Sequence, residues 1–142
     1  MDKREQDAQT GARAGQHVED GGRHLDPEAI REAGFVPALL EFPCEIHVEG
    51  APFAADRAPE SPRLILPESK EFILLLTTDG IAVLAAPRDA IEGLTGKTVE
   101  ELYAEFGILI NSETKGSRRR AVLTEYYERY FQLFLELNMA GF

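Results

Sequence analysis

Lys115, Arg118, Arg119 and Arg120 form a cluster of cations at the start of a long stretch with helical periodicity. A helix start carries free backbone N–H groups and the positive end of the helix dipole. Guanidinium groups added there converge with those N–H groups on an anion, so these four residues are the anion-binding candidates of the chain. The same charges oppose the dipole, each by up to about 1 kcal/mol. Such local conflict is resolved by an anion, by pairing with some of the 25 acids, or by a helix that starts further upstream, near Ser112.

A second set of reactive side chains lies in Cys44-Glu45-Ile46-His47-Val48-Glu49, which alternates strictly between apolar and polar. Alternation of this kind predicts a half-buried strand. Cys44 then shares a face with Ile46 and Val48, whereas His47 stands between Glu45 and Glu49 on the other. Opposite faces make the thiol and imidazole poor partners for a catalytic dyad or a shared metal. His17 and His24 lie beside Glu19 and Asp20 in a polar segment with nothing to hold a metal site in place. No nucleophile–base–orienter set and no zinc spacing is present, so the residues predict no catalytic centre, metal or cofactor.

Gly96-Lys97-Thr98 matches the end of a phosphate-binding loop, but that motif needs a glycine where this chain has Ile91. A tight turn followed by a helix cap accounts for these residues. Over a wider span, Asp79-Gly80, a short strand, Ala86-Pro87, Leu94-Thr95-Gly96-Lys97-Thr98 and Val99-Glu100-Glu101-Leu102 resemble the first half of a PAS sensor domain. Ala86 stands where that family has asparagine, and Lys97 where it has tyrosine. The resemblance implies a small-molecule sensor, with an apolar ligand in the space the sheet encloses. The three strands that should follow are replaced here by a tyrosine-rich helix.

That helix is the strongest clue to contacts. On a wheel of about 100° per residue, Glu125, Glu128, Arg129, Gln132 and Glu136 form a polar stripe, and the remainder is an apolar arc of about 200°. An ordinary surface helix docks with an arc of about 100°. Leu123, Tyr127, Tyr130, Phe134 and Leu137 follow the 4, 3, 4, 3 spacing of paired helices, flanked by Tyr126 and Phe131. These seven residues are the interface candidates, and a homodimer is the expected partner arrangement.

The elements that position all this are legible as local signals. Asp26, Pro27 and Gly34 start and stop a short helix over 27–33. Phe72–Thr77 and Ile81–Ala86 flank Thr78-Asp79-Gly80 and predict a central hairpin at 71–86, apolar on both faces. Leu64-Ile65-Leu66 predicts a short strand, and residues 51–62 a proline- and alanine-rich connection. Thr98 and Glu101 make a capping box for a helix over 98–106 that stops at Gly107, with Ile108-Leu109-Ile110 as a buried link. The final helix spans 117–139. The expectation is an α+β fold: a small antiparallel or mixed sheet of three to four strands, packed by two to three helices.

A chain of 142 residues with 44% hydrophobic and 28% charged residues can bury a core as one domain. Residues 1–24 have little to bury and are expected to be a disordered tail before a single domain over 25–142. A net charge of −10 weighs against nucleic acid, which is bound by neutralising phosphates. One cysteine excludes an internal disulfide and fits a reducing compartment. Without a signal peptide or membrane-length apolar run, a cytoplasmic location is expected and membrane association is not. The reading that follows is a homo-oligomeric interaction or regulatory module. The alternatives are a PAS-like sensor and an enzyme that binds an anionic or phosphorylated substrate at the arginines.

Overall fold

The computed structural model describes residues 18–19, 24–48, 51–55 and 57–140. In chain order these form β1 (Val18–Glu19), β2 (His24–Leu25), α1 (Pro27–Ala33), β3 (Val36–Glu41), β4 (Cys44–Val48), β5 (Ala51–Ala55), β6 (Arg63–Ile65), β7 (Ile73–Leu76), β8 (Ile81–Ala86), α2 (Arg88–Thr95), α3 (Val99–Ser112) and α4 (Arg118–Met139). The fold is α+β, built on a four-stranded antiparallel sheet in the order β3-β8-β7-β6. Strands β4 and β5 form a separate hairpin, as do β1 and β2.

The central hairpin forms where Asp-Gly turn chemistry places it. Thr77 and Ile81 close the loop: the Thr77 N–H donates to the Ile81 carbonyl at 3.0 Å, and the Thr77 hydroxyl to the same oxygen at 2.8 Å. Gly80 takes the left-handed φ of 80° that the turn requires. All of β7 and β8 is buried, with no residue more than 4% exposed. The cover that a two-faced hairpin demands is therefore supplied inside the chain. One hydrophobic cluster joins these strands to Ile30 of α1, Ile46 of β4, Ile91 of α2 and the inner faces of α3 and α4.

Strand β3 contains a proline, and the register explains why it is tolerated. Phe42 N–H donates to the Gly80 carbonyl at 3.0 Å, in line with the Glu41–Ile81 pairing of β3 and β8. Backbone groups alternate along an antiparallel strand, so even-numbered residues of β3 bond to β8 and Pro37 faces the outer edge. No ladder bond is lost there. The Pro37 carbonyl instead accepts from the buried Tyr103 hydroxyl at 2.7 Å, which fastens α3 to the sheet edge.

Local signals set the helix ends. Asp26 caps α1 by accepting from the Glu28 N–H, and Gly34 ends it at φ 75°. The Thr98–Glu101 capping box is complete. Ser117 caps α4, so the upstream start near Ser112 does not occur. Helices α3 and α4 pack antiparallel: Tyr103 meets Phe131 and Phe134, whereas Phe106 meets Tyr127.

Several expectations are corrected. Helix α2, between Pro87 and Gly96, is not among the expected helices; it buries Ile91 and Leu94, and the expected tight turn follows it at Gly96, φ 82°. Gly107 does not end α3, which runs on to Ser112, and Ile108 is 69% exposed rather than a buried link. Ala51–Ala55 pairs with β4 instead of serving as a connection. Strand structure also occurs within the expected tail of residues 1–24. Val18–Glu19 pairs with His24–Leu25, His24 is 1% exposed, and Leu25 N–H donates to the Tyr130 hydroxyl at 2.7 Å. The burial partner lies 105 residues away on α4, where no local pattern points to it. The rest of the expected tail, residues 1–17 and 20–23, lies outside the described residues.

Candidate functional site

The interface candidates separate into two groups. Leu123, Tyr126, Tyr130, Phe134 and Leu137 are all at most 3% exposed and belong to the hydrophobic core of the chain. They are core residues and cannot form a subunit seam while the protomer is folded. The wide arc is used twice within the chain, because one flank of α4 docks on β3 and the other packs against α3. On that second flank, Tyr127 and Phe131 are half-buried and stack at 5.1 Å, with Tyr103 edge-on to both. Burial holds the Tyr103 hydroxyl well above its ordinary pKa, helped by Tyr130 and Tyr127. It is therefore a fixed donor, to Pro37 and, at 3.1 Å, to the Tyr130 carbonyl.

The cation cluster is largely turned inward on the chain. Arg119 donates to the Asp79 carbonyl in the hairpin turn, to Glu41 Oε2 at 3.2 Å, and lies 3.6 Å from Glu113 Oε1. Arg120 Nη1 donates to the Glu113 carbonyl at 3.1 Å, and the Arg120 N–H is taken by the Ser117 hydroxyl. Of the four anion candidates, only Lys115 and Arg118 are exposed. Arg119 joins four elements, the end of β3, the β7–β8 turn, the end of α3 and the start of α4. Its unfavourable position in the helix dipole is offset by these contacts, the acid-pairing resolution foreseen from the sequence.

A cleft of about 370 Å³ opens between α3 and the β3–β4 corner. Leu39, Leu40, Pro43, Leu102, Phe106 and Leu109 give it an apolar lining, and Glu41, Glu45, Lys97 and Glu105 stand among its polar residues. Cys44 and His47 both line it, although they alternate along β4. They do not form a nucleophile–base pair of the usual kind. Burial pushes the Cys44 thiol up to about 11, so thiolate is scarce at neutral pH. His47 Nδ1 lies 3.6 Å from Glu45 Oε1. Lys97 Nζ donates to Glu105 Oε1 at 2.6 Å. Sequence reasoning missed the cleft because β3 and the extension of α3 were both missed.

Among the described residues, no group of three His, Cys, Asp or Glu could hold a metal ion, and no helix is long and apolar enough to cross a membrane. His17 lies outside them. No known protein family matches the chain, and no curated protein or solved structure matches it. The PAS-like stretch, residues 79–102, forms a turn, β8, α2 and the start of α3. From Val99 to Met139 the chain then forms two helices, so the strands that would close a PAS-like pocket do not follow.

Proposed function

We propose that this chain is a homodimeric interaction or regulatory module, suited to a reducing, cytoplasmic setting, whose subunits meet on the outer face of α3 and α4. One observation carries the reading. Among the described residues, the exposed large hydrophobics are Ile108, Leu135 and Met139, and all three belong to this helix pair. Half-buried Tyr127 and Phe131 lie between the helices and extend the apolar surface. Tyrosine and phenylalanine suit such a surface, because a large ring covers area at little entropic cost. The breadth of the helical arc no longer supports the dimer, since most of it is spent inside the protomer.

Sedimentation velocity across the micromolar range tests the reading. Wild type should shift from monomer to dimer, and Ile108→Glu or Leu135→Glu should remain monomeric with an unchanged circular dichroism spectrum. A net charge of −10 opposes self-association at long range, so the dimer should tighten as salt is raised. A folded wild type that stays monomeric at high micromolar concentration overturns the proposal.

A further inference from the structure

We infer that the cleft beside β3 is a separate binding site, which takes a short segment of a partner protein carrying a large apolar residue next to lysine or arginine. The floor supplies the first requirement. Leu39, Leu102, Phe106 and Leu109 line a space of about 370 Å³, at the lower end of the range for sites that enclose a compact apolar group.

The charges supply the second. Three carboxylates, Glu41, Glu45 and Glu105, line the cleft against one lysine, Lys97. Lys97 is held by Glu105 and Arg119 reaches Glu41 from α4, whereas Glu45 is exposed and has His47 as its neighbour at 3.6 Å. An arriving cation finds Glu45 at once and competes with Lys97 for Glu105. An arriving anion meets the acids of the cleft and a chain of net charge −10, which repels it before contact.

The site is independent of the dimer reading. Leu102, Glu105, Phe106 and Leu109 share the face of α3 that lines the cleft, at the i, i+3, i+4, i+7 spacing of one helix side. At about 100° per residue Ile108 falls about 110° around α3 from the middle of that face, and it is exposed.

Two amidated peptides with the same leucine and phenylalanine residues, one interleaved with lysines and one with glutamates, are titrated into isotopically labelled protein. The lysine peptide should shift the amides of residues 39–47 and 102–109 saturably. It should also slow alkylation of Cys44, the only cysteine in the chain. Its Kd should rise at least tenfold in Glu45→Lys, a change at an exposed position, and in Leu109→Asp. The glutamate peptide should bind at least tenfold more weakly. Equal binding of the two peptides, shifts outside the cleft, indifference to Glu45→Lys, or no saturation at millimolar peptide would each overturn the inference. The same amides moving with protein concentration alone would make the cleft a self-association surface, which also overturns it.

Discussion

The Tyr126 hydroxyl, on a side chain buried in the core, donates to the Asp79 carboxylate at 2.7 Å. Asp79 is the turn residue of the central hairpin, and Tyr126 stands in the third turn of the C-terminal helix. The bond makes one unit of two features that are 47 residues apart. Removing the hydroxyl leaves a part-buried carboxylate short of a donor, so Tyr126→Phe should cost about 1–3 kcal/mol. A double-mutant cycle with Asp79→Ala in urea unfolding should return a coupling of about 1 kcal/mol or more. Additive effects would show that the bond contributes nothing in solution.

Arg119 and Arg118 are neighbours in sequence but differ in surroundings, and their substitutions should differ accordingly. Arg119→Ala releases the Asp79 carbonyl and two carboxylates and should lower stability by about 1–2 kcal/mol. Arg118→Ala, at an exposed position of the first turn, should be neutral or slightly stabilising, because it relieves repulsion from the helix dipole. Urea midpoints of the two variants decide the matter. Equal effects would mean that the Arg119 contacts are not maintained.

Gly107 lies inside α3, without the positive φ of a helix-ending glycine. A Cβ built there would stand 3.9 Å from Tyr127 Cε2, an ordinary contact. Gly107→Ala should therefore stabilise the protein by about 0.5–1 kcal/mol through helix propensity. A rise in Tm checks it, and a fall would show that α3 does not continue through this position.

The capping box makes stability depend on pH in a defined direction. Glu101 accepts from the Thr98 N–H at 3.0 Å, and this backbone bond is the main cause of a pKa below the ordinary 4.5. A carboxylate lowered in the folded state adds stability above its unfolded pKa, and that stability is lost as pH falls through the lower folded value. Glu101→Gln should therefore be less stable than wild type at neutral pH, with the difference shrinking as acid is added below 4.5. A difference that does not change with pH would assign the bond no ionic part.

Cys44 should react slowly while the chain is folded. Its thiol is pushed up to about 11 by burial, so alkylation by iodoacetamide at pH 8 should be at least tenfold slower than in the urea-unfolded chain. The rate should rise steeply between pH 9 and 11. Equal rates at pH 8 would place the thiol in water.

What the residues determined alone is local. Gly80 is needed because the turn demands positive φ, and Asp26, Thr98 and Ser117 cap helices because each hydroxyl or carboxylate reaches an N–H two or three residues on. Such signals act within a few residues, so the hairpin, three of the helix starts and the α+β class could be read directly. A periodic pattern also shows how much of a helix is apolar, but it does not say what covers that surface. Tertiary structure decided that five of the seven interface candidates are buried in the core, that Pro37 falls on the non-bonded side of an edge strand, and that His24 is buried against Tyr126 and Tyr130. It also overrode the helix-stop signal at Gly107, because a glycine costs a helix only about 1 kcal/mol and the residues beyond it can bury apolar area. The cleft is decided in the same way. Its walls come from two distant segments, residues 39–47 and 95–109, and which side chains share a cavity depends on strand register and helix packing that no local spacing encodes.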